Sequence, residues 1–424
     1  MKEQGLGADL RKKLMEYQKP MERMYYVFLV IILFYDRLNT TPLISMLRVY
    51  TGQWLQDMDP ALVDVLFNSL LGLRFLIVLP AIYTICFEAK GKMTKLLLLA
   101  LLALGWFYAY YWRDRNDTMV FEALLLIVAS YGRDYKKIGR IAILLTVGVA
   151  GLAFGLSQMG ILPDYIDERG DLLRHSFGTY HCTDLAALGC YAILLYMFLK
   201  NGLMKWYAYT VIAVLSILNI CLLGGRISLF CVVLALIGCV FCTINKRHTL
   251  HVPPVAEKTW QIVLLASFVV CAAVYFVLNF TYTEDPGAFY HSIGALSSFE
   301  NRIRTSANVT RVLPFSWFGK YFLQLGAGGG NPASKEGFYT FLDCSYIRVY
   351  VMYGVVAFVA FLLINTGIQC RLMKKKQTFR MFLLAIVAFH CFWEHRMIDP
   401  AFNMFLLLPF AALEEENTGK TDVG

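Results

Sequence analysis

The stretch FWEHRMIDPAFN, residues 392–403, sets a carboxylate, an imidazole and a guanidinium in a row, with another carboxylate three positions further on. Glu394, His395, Arg396 and Asp399 lie between two apolar stretches, where a turn of Gly, Asn and Ser would cost far less. Ionisable groups at a membrane boundary are expensive enough to mark a candidate site. His395 and Glu394 offer proton transfer, and Arg396 offers a fork that matches phosphate oxygens. The plain alternative is a hairpin with a local ion pair.

Other stretches carry groups of the same kind. RHSFGTYHCTD (174–184) brings Arg174, His181 and Asp184 to the start of an apolar run, where Thr183 or Asp184 would also serve as a helix N-cap. Arg226 follows two glycines that would let a ligand approach the backbone; its plain reading is a snorkelling interfacial side chain. ENRIRTSANVTR (300–311) concentrates Arg302, Arg304 and Arg311. Two residues apart on a helix, Arg302 and Arg304 point different ways, so only one of them need face a site. In LDCSYIRVYVMYG (342–354), Asp343 either caps a helix or acts as a general base at the lip of a cavity, with Arg348 about a turn further in. Arg74 and Glu122 lie inside apolar spans and need a partner, each other or a polar head group.

The sequence also excludes chemistry. With no HExxH or CxxC spacing it contains no recognisable metal cage, and its 11 cysteines form no disulfide framework. Cys182 and Cys344 fall near charged loops and are assigned no role. There is no P-loop, GxSxG or dinucleotide fingerprint, so neither a nucleotide nor any other cofactor is expected, and nucleic acid is not an expected partner.

The elements that must hold these residues are membrane helices. The chain of 424 residues is 58% apolar and 16% charged, with a mean hydropathy of +0.55. Its apolar runs are about 20 residues long, the length that crosses hydrocarbon as helix. The expected fold is an all-α polytopic membrane protein, one integral domain over 1–424 with about twelve spans. Their centres lie near 30, 76, 103, 126, 148, 192, 214, 234, 270, 356, 386 and 406. With the N-terminus inside, about 24 Lys and Arg fall on the cytoplasmic side and about 13 outside, so both termini are expected in the cytoplasm. The net charge of +9 then reflects topology. The outer face carries the candidate residues and one large loop, about 281–343, between spans nine and ten.

Guanidiniums fixed beside a lipid-filled space suit a phosphorylated lipid, because a departing diphosphate needs positive charge already in place. A hydroxyl that attacks needs a base within hydrogen-bond reach.

RHSFGTYHCTDLAALG, GGRISLF, FENRI, and the pair LDCSYIRVYVMYG and EHRMIDPAFNMFLLLPF resemble, in that order, motifs of the Wzy-type polysaccharide repeat-unit polymerases, within the O-antigen polymerase and ligase superfamily. The likeness is to the Gram-positive capsule and exopolysaccharide type. Asn301 stands where that family more often has glycine, Cys344 where it has asparagine and Met404 where it has proline. The likeness spans 174–411; residues 1–170 share only hydropathy.

The resemblance implies an inverting, metal-independent glycosyltransferase of the GT-C type in a bacterial cytoplasmic membrane. Its substrate would be undecaprenyl-pyrophosphate-linked oligosaccharide, and its surroundings membrane lipid, with a flippase and a chain-length regulator alongside. Arg226 and Arg302 become pyrophosphate clamps, with Arg304, Arg174, Arg396 and His181 as further substrate contacts. Asp343 becomes the base, with His395 as its rival and Glu394 in support. An O-antigen-type ligase, and a flippase or transporter of lipid-linked oligosaccharide, are the alternatives.

Overall fold

A computed structural model describes residues 17–46, 72–113, 117–169, 172–244, 254–283, 297–313, 315–322, 324–325 and 340–413. The chain is mostly helical. Its α-helices are α1 (Gln18–Leu38), α2 (Val78–Tyr83), α3 (Lys92–Tyr111), α4 (Met119–Ala129), α5 (Tyr135–Gln158), α6 (Cys182–Leu199), α7 (Trp206–Leu218), α8 (Arg226–Ile244), α9 (Pro254–Phe280), α10 (Ser297–Val312), α11 (Ser345–Lys374) and α12 (Thr378–Trp393). A 3-10 turn, Leu73–Ile77, leads into α2 and a π turn, Thr84–Glu88, follows it. A second π turn, Asn219–Leu223, extends α7. A small antiparallel hairpin, β1 (Ile166–Arg169) with β2 (Leu172–His175), precedes α6 and sets Asp167 opposite Arg174.

Among the described residues, seven helices are long and apolar enough to cross a membrane: α3, α5, α6, α7 with its π turn, α8, α9 and α11. Ten of the twelve expected centres fall within α-helices, though α4 has only 11 residues and α12 only 16, and the centre near 76 falls in the 3-10 turn that leads into α2. Burial explains how α4 serves at that length, since Val120 through Ala129 are all buried against protein. Small residues let the helices approach closely, as lipid-exposed association requires. Gly238 of α8 is one such position, since a Cβ there would run into the Phe382 ring of α12.

The twelfth centre, near 406, needs correction. Residues 394–413 form no membrane helix; they run back through the protein interior with only a short 3-10 turn, Met404–Leu407. Non-helical backbone at that depth is tolerated where protein supplies its hydrogen bonds. Ser345 Oγ donates to Glu394 O at 2.5 Å and accepts from Met397 N at 3.0 Å. Asn403 Nδ2 donates to Met397 O at 2.7 Å, and Ser130 Oγ to Leu407 O at 3.1 Å. Arg371 of α11 donates to the carbonyls of Leu408, Pro409 and Ala411. Gly132 N and Ala412 N complete the far end through Phe410 O and Arg133 O. An apolar run is therefore no proof of a helix when its partners can satisfy the backbone.

α11 is also broken. Gly354 has φ 80° and ψ 179°, which interrupts the helical ladder. The freed groups find partners on the large loop and on α3. Lys320 N donates to Val351 O at 3.0 Å, while Val355 N and Val356 N donate to Ser316 O and Trp317 O, both at 3.1 Å. Tyr108 Oη donates to Tyr353 O at 2.6 Å and accepts from Ala357 N at 3.2 Å. Gly319 is needed where the loop crosses, because a Cβ there would overlap the Met352 carbonyl. The first half of α11, with Arg348 and Tyr353, is thus a separate short helix aimed into the bundle.

Candidate functional site

The C-terminal end of α1, the starts of α4, α6 and α11, and the turn after α12 meet at one end of the bundle. They enclose a cavity of about 610 Å³, within the range of about 300–1,000 Å³ usual for ligand sites. Its walls come from both halves of the chain: Tyr35, Asp36, Arg74 and Asp184 from the first, and Arg348, Tyr353, His395, Arg396 and Asp399 from the second.

Two acid–arginine–acid triads line it. Arg74 Nη1 lies 3.4 Å from Asp36 Oδ1 and 3.6 Å from Glu122 Oε2, so Arg74 and the buried Glu122 do pair with each other, with Asp36 as a third member. The Tyr35 and Phe75 rings flank the Arg74 guanidinium, with centroids at 4.5 and 4.7 Å. Arg396 pairs with Asp184 and, at 3.2 Å, with Asp399, and it stacks on Phe402 at 3.9 Å. Arg348 differs: among the described residues it pairs with no carboxylate. Its Nη1 donates to Gln324 Oε1 at 2.8 Å, and the guanidinium packs on the Phe341 ring. Tyr353 Oη donates to Asp117 Oδ2 at 2.8 Å.

His395 meets the Phe341 ring edge-on, and its Nδ1 is buried without a hydrogen-bond partner. Burial, with the Arg396, Arg348 and Arg302 guanidiniums nearby, holds its pKa well below 6.5. The imidazole is therefore neutral near pH 7, the form that can accept a proton.

Beside the cavity, Arg302 joins the large loop to this turn. Its Nε lies 3.2 Å from Asp343 Oδ2 and its Nη2 3.5 Å from Glu394 Oε1, and it also donates to Trp393 O. Burial pushes the Glu394 carboxyl up to about 7; Arg302 opposes the rise and Asp343 adds to it. Arg302 faces inward on α10 while Arg304 is exposed and bonds its neighbour Asn301, at 2.8 Å, as their spacing requires.

Of the nine residues expected at a site, His395 and Arg396 line the cavity, and Asp343, Glu394 and Arg302 form the ion cluster beside it. Asp343 is not on the cavity wall; the N-cap of α11 is Cys344, so the acid does not cap either. Arg226 is exposed and lies off the wall, because the Gly224 turn that starts α8 carries it to the surface. Arg174 is engaged by Asp167 across the hairpin. His181, and not Thr183 or Asp184, caps α6, its Nδ1 accepting from Thr183 N at 3.1 Å. This frees Asp184 to reach Arg396.

Asp167, His181 and Cys182 bring three metal-ligating atoms within 4.8 Å of one another. The set fits a cation poorly, since Asp167 already holds Arg174 and the His181 Nδ1 is used as a cap.

Residue-by-residue reading missed Asp36 and Asp117, and did not assign Arg74, Glu122 or Arg348 to the site. The available signal was the cost of ionisable groups in apolar sequence. No family model, no curated protein and no solved structure matches the chain.

Proposed function

We propose that the chain joins undecaprenyl-pyrophosphate-linked oligosaccharide repeat units into a capsular polysaccharide or exopolysaccharide at the outer face of a bacterial cytoplasmic membrane. One observation above all supports this reading. His395, Arg396 and Asp399, from the motif that closes the family resemblance, line one cavity with Arg348, whose charge no carboxylate among the described residues neutralises.

The chemistry is inverting glycosyl transfer. The acceptor's sugar hydroxyl oxygen attacks the anomeric carbon of the donor glycan. The bond from that carbon to the diphosphate oxygen breaks, and undecaprenyl pyrophosphate leaves as the anion. His395 takes the hydroxyl proton, a role in which it replaces Asp343, since Asp343 is held by Arg302 off the cavity wall. Arg348 replaces Arg226 as the diphosphate contact. Gln324 and the Phe341 ring fix its guanidinium, so it meets the developing charge without reorganising. Arg302 is a positioning residue that ties α10 to the Glu394 turn. Arg396 holds two carboxylates at the wall.

Reconstituting the purified protein with one lipid-linked repeat unit tests the reading. The expected product is a ladder of repeats, lost in His395→Asn at unchanged protein level. Transfer of a single unit to a foreign acceptor would instead identify a ligase, and lipid movement without a new glycosidic bond a transporter.

A further inference from the structure

The charges on the cavity wall do not balance. Five carboxylates, those of the two triads and Asp117, meet three guanidiniums, a formal balance of −2 over the described lining. Arg74 and Arg396 each serve two acids, so each triad is one negative charge in excess. Glu122 is only 5% exposed and its Oε1 has no hydrogen-bond partner, nor has Oδ2 of Asp36. Both carboxyls pair with Arg74, and even one proton held by the pair leaves the wall acidic.

Carboxylates in excess of the guanidiniums beside them are costly, so a ligand rich in O–H or N–H groups is the one this wall stabilises. Tyr35, Tyr180 and Tyr353 add flat surfaces with an apolar body and a polar tip. A ligand carboxylate would meet like charge at short range in a weakly screened space.

We propose that this acid-lined wall is the subsite for the acceptor's terminal sugar, taking a neutral or amine-bearing sugar and rejecting an acidic one. The inference rests on the glycosyl-transfer reading and divides the cavity: diphosphate against Arg348, acceptor sugar against the triads and Asp117, with its attacking hydroxyl at His395. A uronate-terminated repeat unit would then be a poor acceptor even where its donor end is accommodated.

Saturation-transfer NMR on the full chain in nanodiscs reads the subsite without turnover. The probes are the methyl glycosides of glucosamine, glucose and glucuronic acid. The glucosaminide and glucoside are expected to bind, and the glucuronide to bind at least about tenfold more weakly, as like-charge juxtaposition dictates. Asp117→Asn removes one wall charge and is expected to narrow the glucosaminide-to-glucuronide ratio by about threefold or more. Equal binding of the three, preference for the glucuronide, or binding of none overturns the proposal, and the wild-type comparison decides this even where the variant fails to fold. Selective binding without any ladder from lipid-linked units removes the polymerase reading and leaves the sugar subsite standing. A ladder accompanied by unselective binding does the reverse.

Discussion

The two ends of the bundle use arginine in opposite ways. At the cavity end, Arg74 and Arg396 each hold two carboxylates around open space, and Arg348 faces that space with no acid of its own among the described residues. At the other end, where the basic segments around Lys90, Arg133 and Arg371 meet, the guanidiniums finish the protein's own backbone. Arg371 donates to three carbonyls of the returning C-terminal stretch, and Arg380 donates to Phe198 O at 3.1 Å. Arg133 forms one pair with Glu88, at 2.7 Å. Where arginine meets carbonyls, its donors close a structure. Where it meets more acids than it can neutralise, the site is left open to a ligand. The difference separates stability from function within one residue type.

Substitutions at the two ends sharpen that contrast. Arg396→Ala should have the largest effect, because it leaves Asp184 and Asp399, both largely shielded from water, without their shared cation; a loss of about 3–5 kcal/mol is expected. Folded yield and denaturation midpoint in detergent measure it, and a wild-type midpoint would show that the triad is solvated. Arg371→Ala should cost about 3 kcal/mol by the same measurement, with carbonyls left unpaired, yet leave activity per folded molecule unchanged. Reduced turnover in folded Arg371→Ala protein would break the division between the ends.

Arg348→Ala should do the opposite: near wild-type stability, with polymer formation down about a hundredfold, as for loss of one donor to a developing anion. Arg226→Ala in the same assay should make chains of normal length. Equal defects in both would restore Arg226 as the clamp. Gly354→Ala should cost about 1–3 kcal/mol, since φ near +80° is strained for any side chain. Protease cleavage within residues 315–322 should rise with it, as the loop loses its hold on the break.

The smallest expected effect is on the pH dependence of stability. Glu394 binds a proton more readily folded than unfolded, so its contribution is full below its ordinary value of 4.5 and is lost as the pH rises to about 7. His395 acts with the other sign: its contribution is full above 6.5 and is lost as the pH falls below that value. Glu394→Gln should flatten the first limb and His395→Asn the second, read as thermal midpoints from pH 4.5 to 7.5 in the variant series. An unchanged profile in both variants would mean that the turn is open to water.

Much of the helical layout was legible from hydropathy, because apolar runs of membrane length have few alternatives to helix. The exception at 406 is instructive. MFLLLPF reads as membrane helix, but Pro409 cannot continue one, and Asn403, Ser130 and Arg371 replace the helical hydrogen bonds. The site was legible in part. Glu394, His395 and Arg396 announce themselves by the cost of their charges, and the divergence of Arg302 from Arg304 follows from helical periodicity. Asp36 and Asp117 were not recognisable, because each stands beside other polar residues at the edge of an apolar run, where an acid is cheap.

What the sequence determined by itself is the solvent: composition and the length of its apolar runs make this a membrane protein of helices, since lipid leaves backbone groups no other partner. What only the tertiary structure decided is which charges share a space. Arg74, Asp117, Arg348 and His395 lie far apart along the chain and become neighbours through packing of helices from both halves. Neighbour identity, and not residue type, determines whether a guanidinium is neutralised, closes a backbone gap or stays available to an anion.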